Sequence, residues 1–197
     1  MTRQPFYILL LKGIGYITLG NVLCLFMTMA LTIFSVQTGA EIVFNVIAMI
    51  CGTLIFYMLV FTVAWKDGVR ERSLVKLHRV ESPLKYRWLL LGVILFVIAA
   101  APTLLLLLNK LFFPESDTLY IYRFISGSAY PFIQTVIPHP DLDTVAWMPT
   151  NYRQIDEMSA LFPALMLVYY ALIPAVTHLG WYIGFYDKLN TDKIMYK

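Results

Sequence analysis

The stretch WKDGVRERSLVKLHRVESPLKYRW, Trp65–Trp88, decides how the chain is read. Lys66, Arg70, Arg72, Lys76, Arg79, Lys85 and Arg87 stand there against only Asp67, Glu71 and Glu81. Apolar runs flank it on both sides. A basic island between membrane-length segments is retained on the cytoplasmic face, so 65–87 is expected to be a cytoplasmic loop. Placing it there orients every other segment.

Of the 197 residues, 59% are hydrophobic and 14% charged. Soluble domains carry about 45–50% apolar and about 25% charged residues. The excess lies in long runs, which makes this an integral membrane chain. Spanning the hydrocarbon core takes about 20 apolar residues. Four runs qualify: Gly13–Val36, Ile42–Ala64, Trp88–Phe113 and Ala160–Tyr186. The first, with 24 residues, exceeds the length of a signal-peptide core, and no small-x-small cleavage site follows it. Residues 37–41 between the first two runs predict a tight turn and an antiparallel hairpin.

With both termini inside, twelve of the fifteen basic residues fall on the cytoplasmic side. Lys110, Arg123 and Arg153 are left outside with seven of the twelve acidic residues. The fold expected is all-α: one membrane domain, 1–197, with four transmembrane helices, cytoplasmic termini and a structured extracytoplasmic cap, 114–159. Trp65, Trp88, Trp181, Tyr182 and Tyr186 read as anchors at headgroup level. Within the loop, Val69, Leu74, Leu77 and Leu84 predict an amphipathic helix ended by Pro83. It would set Leu74 and Leu77 into lipid and Arg70, Arg72, Lys76 and Arg79 against anionic headgroups of the inner leaflet. The same basic residues would also serve as a docking surface for a cytoplasmic protein.

The cap is expected to begin with two short amphipathic pieces in Leu119–Ile137, separated by Gly127 and Pro131, followed by a surface loop over Pro138–Ser159. Long loops without regular structure are uncommon unless functional.

The fourth run holds the densest set of unusual residues. Pro174 removes a backbone donor and frees the Tyr170 carbonyl, which predicts a kink. His178 and Tyr182 follow at one-turn intervals, so Pro174, His178 and Tyr182 form a candidate functional face. An ionisable group in a span is a functional candidate by default. The competing reading is a neutral histidine hydrogen-bonded to Asn21, Asn45 or Thr62. Gly180 and Gly184 form a GxxxG pair suited to close helix packing, within the chain or between two copies. Gly13, Gly15, Gly20 and the Ala99–Ala101 run offer comparable small faces.

No acidic residue falls within these apolar runs, which weakens a proton relay. Cys24 and Cys51 lie inside them and read as small core residues. His139, Asp141 and Asp143 supply too few ligands at defined spacing for a metal. Ser126 and Ser128 have no nucleophile-elbow sequence around them. There is no P-loop, dinucleotide fingerprint, HExxH or CxxC. No catalytic residue, cofactor or metal is therefore expected, and the charge pattern does not suit nucleic acid.

Ala64-Trp65-Lys66-Asp67-Gly68-Val69-Arg70, His178-Leu179-Gly180-Trp181-Tyr182-Ile183-Gly184 and Asp192-Lys193-Ile194-Met195-Tyr196-Lys197 resemble segments of small bacterial four-helix integral membrane proteins with no assigned function. The resemblance implies a bacterial cytoplasmic membrane location and supplies no activity or site to carry over. Three functions are open: a non-enzymatic accessory or interaction subunit of a membrane complex, an oligomeric small-solute transporter or channel, and an outer-face enzyme acting on lipid or peptide. The partners expected are the bilayer, a membrane protein or a second copy of the chain.

Overall fold

The computed structural model describes residues 3–113, 118–136 and 158–187. All regular structure among them is helical: α1 (Phe6–Thr38), α2 (Glu41–Lys76), α3 (Arg87–Phe112), α4 (Thr118–Ile125), a 3₁₀ turn (Gly127–Ala129), α5 (Tyr130–Val136), α6 (Leu161–Tyr170) and α7 (Ile173–Tyr186). Four stretches are long and apolar enough to cross a membrane: Phe6–Ser35, Ile42–Lys76, Arg87–Phe112 and Leu161–Tyr186. At most 39% of the apolar window of any of them is buried, so most of that surface faces outward. An outward apolar surface of this extent suits lipid and not water. The chain is a multi-pass membrane protein.

Two of the helices outrun the bilayer. At about 1.5 Å per residue, the 36 residues of α2 extend about 54 Å, against about 30 Å of hydrocarbon. Helix α2 therefore continues through much of the stretch read as a loop. It stops at Lys76 because His78 adopts a left-handed conformation (φ 52°). The Arg79 and His78 amides then bond back to the Leu74 and Val75 carbonyls at 3.0 Å. This pair of bonds is a Schellman closure with histidine in the position glycine usually takes. Pro83, expected to end the helix, lies seven residues farther on. At the other end, Gly39 (φ 68°) closes α1 and α2 begins at Glu41.

The fourth span is broken rather than kinked. Helix α6 ends at Tyr170, Ala171 and Leu172 form a turn, and α7 starts afresh at Ile173. Pro174 then sits in the first turn of α7, where its missing N–H leaves no bond unmade.

The described residues form two compact units. The first comprises 3–18, 57–98 and 171–187, and the second 19–56, 99–113, 118–136 and 158–170. In the first, Leu9, Val63, Ala64, Trp88, Leu91 and Trp181 make a buried cluster flanked by Phe6, Leu10, Tyr16 and Phe185. Helix α7 lies close against α2 through glycine. A Cβ on Gly180 would stand 2.7 Å from the Phe61 carbonyl oxygen. One on Gly184 would collide with the Trp65 carbonyl, and one on Gly68 with the Trp181 carbonyl. Small residues let backbones approach where lipid offers no hydrophobic drive between helices.

In the second unit α4, the 3₁₀ turn and α5 correspond to the two short pieces expected before and after Gly127. They bury Leu119, Tyr122, Ala129 and Ile133 completely. Gly127 abuts the Asn21 carbonyl, and the Ser128 amide donates to Asn21 Oδ1 at 3.1 Å. The Ser128 and Tyr170 hydroxyls share a bond of 3.1 Å, and those of Thr103 and Tyr122 one of 3.0 Å. Burial raises the Tyr122 phenol above its ordinary range, so it stays protonated. Ser126 and Ser128 are thus buried parts of the frame. Cys24 is also buried and donates to the Gly52 carbonyl at 3.2 Å.

The glycine contacts are directly testable. Gly180→Ala should destabilise the protein by about 1–3 kcal/mol through overpacking. Gly15→Ala, whose Cβ would meet nothing within 4 Å, should leave stability unchanged. Thermal unfolding of both variants in mild detergent checks the contrast.

Candidate functional site

Because α2 runs on to Lys76, Asp67 and Glu71 fall one turn apart on one helical face. Both are buried, with 9% and 3% of their surface exposed. A buried carboxylate is tolerated only when donors converge on it. Glu71 Oε1 forms an ion pair with the Arg3 guanidinium at 3.1 Å and accepts from the Leu84 amide at 3.1 Å, and its Oε2 accepts from the Trp181 indole N–H at 2.8 Å. Asp67 Oδ2 accepts from the Trp88 indole N–H at 2.8 Å.

Neighbouring bonds complete the arrangement. The Arg3 guanidinium also donates to the Ser82 carbonyl, and that of Arg87 to the Gln4 carbonyl. The Thr177 hydroxyl lies 3.1 Å from the Trp88 carbonyl. Arg72 pairs with Asp187, whose left-handed conformation (φ 54°) caps the end of α7. Two carboxylates on one helix therefore tie together the segment before α1, the start of α3 and the middle of α7. The indoles are donors only and the guanidinium cannot lose its proton, so the cluster is built to hold acids rather than to pass protons.

Sequence reasoning missed this cluster and assigned its parts elsewhere. Trp88 and Trp181, expected at headgroup level, are 0% and 1% exposed and donate to the two acids. Leu74, expected in lipid, is buried, because the face of α2 that carries Glu71 turns inward; Leu77 is exposed. The available signal was the four-residue spacing of Asp67 and Glu71, which acquires meaning only once the helix extends beyond Ala64.

The candidate residues scatter. Pro174 and His178 are half-buried, while Tyr182 is 41% exposed with its ring 4.6 Å from that of Tyr186. His178 stacks over Trp181 at 6.3 Å, and its Nδ1 has no partner among the described residues. The bond expected to Asn21, Asn45 or Thr62 is not formed. Thr62 instead donates to the Met58 carbonyl at 2.6 Å, and Asn21 accepts from Ser128. Gly180 and Gly184 face α2. Of the expected headgroup contacts, Lys76 and Arg79 are exposed, Arg70 is half-buried and Arg72 is engaged by Asp187. His139, Asp141 and Asp143 lie outside the described residues, as does the terminal 192–197 motif. Among the described residues no three His, Cys, Asp or Glu side chains gather as metal ligands would.

Comparison of the chain with protein-family models, curated proteins and solved structures gave no match.

Glu71→Ala should cost about 3–5 kcal/mol, because Arg3, the Leu84 amide and the Trp181 indole all lose their acceptor. Trp181→Phe should cost about 1.5–3 kcal/mol, the range for a hydrogen bond to a charged group. Glu81→Ala, at an exposed position, should stay within about 0.5 kcal/mol of the parent. Thermal unfolding followed by tryptophan fluorescence orders the three. Equal behaviour of Glu71→Ala and Glu81→Ala would contradict the clamp.

Proposed function

We propose that this chain is a non-enzymatic interaction subunit of a larger complex in a bacterial cytoplasmic membrane, with both termini and residues 65–87 on the cytoplasmic side. The observation that carries the reading is the carboxylate clamp. It holds the charged ends of the segments in one fixed arrangement, while Lys76, Leu77, Arg79, Lys85 and Tyr86 remain exposed beside it. A rigid base under an exposed basic and aromatic stretch suits a docking platform. The bias of Lys and Arg toward one side supports the orientation.

A second reading, a small-solute transporter acting as an oligomer, draws on a different observation. The fourth span is discontinuous at 171–172, and His178 follows in α7 with its Nδ1 unpartnered among the described residues. Broken spans are tolerated where they are buried in protein or line a cavity. The outer-face enzyme gains no support from the described residues.

Crosslinking in native membranes, followed by purification in mild detergent and mass determination, separates the readings. The interaction subunit should travel with a foreign membrane protein in fixed stoichiometry. Self-assembly alone, with solute flux in liposomes lost in His178→Ala, would establish the transporter instead. Cysteines placed at Lys85 and in 114–159 should react with impermeant reagents from opposite sides of the membrane.

A further inference from the structure

In the first unit a cavity of about 260 Å³ opens between the beginning of α1 and the later part of α2. Lys12 and Tyr16 line it from α1, Lys66, Asp67 and Arg70 from α2, and Gln4 from the preceding segment. By liquid volume this is room for about eight or nine waters, enough for a small anionic group. Three cations face one carboxylate, and that carboxylate already accepts the Trp88 N–H. Lys66 is exposed and makes no ion pair among the described residues. Lys12 gives one N–H to Gln4 Oε1 at 3.0 Å, and an ammonium carries three. Arg70 offsets Asp67, and Lys12 and Lys66 therefore keep unspent donors and positive charge at the cavity.

Its shape is graded. Arg3, just before α1, meets Glu71 near the end of α2, so the two helices run antiparallel in this unit. By position along the two antiparallel helices, Gln4 and Arg70 belong to one end, Lys12 and Lys66 follow, and Tyr16 and Val63 come last, with the Lys12 ammonium reaching back to Gln4. We propose that the cavity binds one phosphate-bearing anion. The phosphodiester headgroup of an anionic phospholipid fits it, because the helices that line the cavity carry unburied apolar surface along which its acyl chains would lie. Basic pockets between transmembrane helices on the cytoplasmic side take such headgroups. Only the choice of leaflet rests on the orientation proposed above. The site differs from diffuse attraction between the exposed Lys76 and Arg79 and a charged surface, since it holds one headgroup in one place.

The test uses the full chain in phosphatidylcholine nanodiscs with and without phosphatidylglycerol, reading the thermal transition, with native mass spectrometry in detergent reading retained lipid. The parent protein should gain a saturable upward shift and keep one phosphatidylglycerol in preference to phosphatidylcholine. Lys12→Gln with Lys66→Gln should weaken the affinity about 25-fold, about fivefold for each cation removed. Lys76→Gln with Arg79→Gln removes the same charge outside the cavity and should leave the shift intact. Glycerol 3-phosphate added to phosphatidylcholine discs distinguishes the source: an equal shift assigns the site to a soluble phosphate ester, and no shift assigns it to lipid. Equal losses in the two double variants overturn the proposal. If the cavity variant does not fold, the parent alone decides, because absence of preferential retention of an anionic lipid or phosphate ester overturns it equally. No partner protein is present in this assay, so its failure and that of the interaction-subunit reading are separately visible.

Discussion

A carboxylate withdrawn from water must find partners or carry a proton, and Glu71 finds two N–H donors and one guanidinium. They come from positions 3, 84 and 181, far apart in the chain and close only in the folded state. Several kcal/mol separate a buried acid that is fully bonded from one left alone. Every segment that reaches Glu71 is therefore placed by it. Helix α2 has to continue past the apolar run to present Asp67 and Glu71 on one face. Residues 77–86 have to return so that the Leu84 amide and Trp88 approach that face. The segment before α1 has to lie across it so that Arg3 can reach.

Trp181 can reach Glu71 only because the backbones of α2 and α7 are close. Gly68 on α2 and Gly180 and Gly184 on α7 create that approach, each receiving a carbonyl of the other helix where a Cβ would otherwise stand. Dispersion and hydrogen bonding, not removal of apolar surface from water, hold helices together in lipid. The glycines supply the first and the indole–carboxylate bonds the second. Neither suffices alone: close backbones without the acid would leave the indole N–H buried and unbonded, and the acid without close backbones would lie beyond its reach.

Much of the fold was legible because lipid imposes a simple compositional rule. Four apolar runs of spanning length sufficed for the four membrane stretches, and Gly127 with Pro131 divided the short helices between the third and fourth. What failed did so for identifiable physical reasons. The first charges after Ala64 mark the end of the apolar part of α2 and not the end of the helix. The true stop lies at His78, a residue without the usual signature of a left-handed cap. Pro174 predicts a kink within one helix, whereas it lies in the first turn of a new one. The clamp was illegible because an indole near a span end looks the same whether it meets headgroups or a carboxylate 110 residues away. Arg3, isolated near the beginning, looked like one more positive charge on the inner side.

The clamp also constrains what this unit can do when it works. A conformational cycle needs an element with two arrangements of comparable energy. Separating α7 from α2 would strip Glu71 of the Trp181 N–H and expose the carbonyls of Phe61, Trp65 and Trp181 that now lie against glycine. Separating α3 would take the Trp88 N–H from Asp67. Each step would leave a buried acid short of an indole donor, which is a steep penalty and not a shallow alternative basin. A unit built in this way holds its segments in one arrangement, which is what the docking platform proposed above would require.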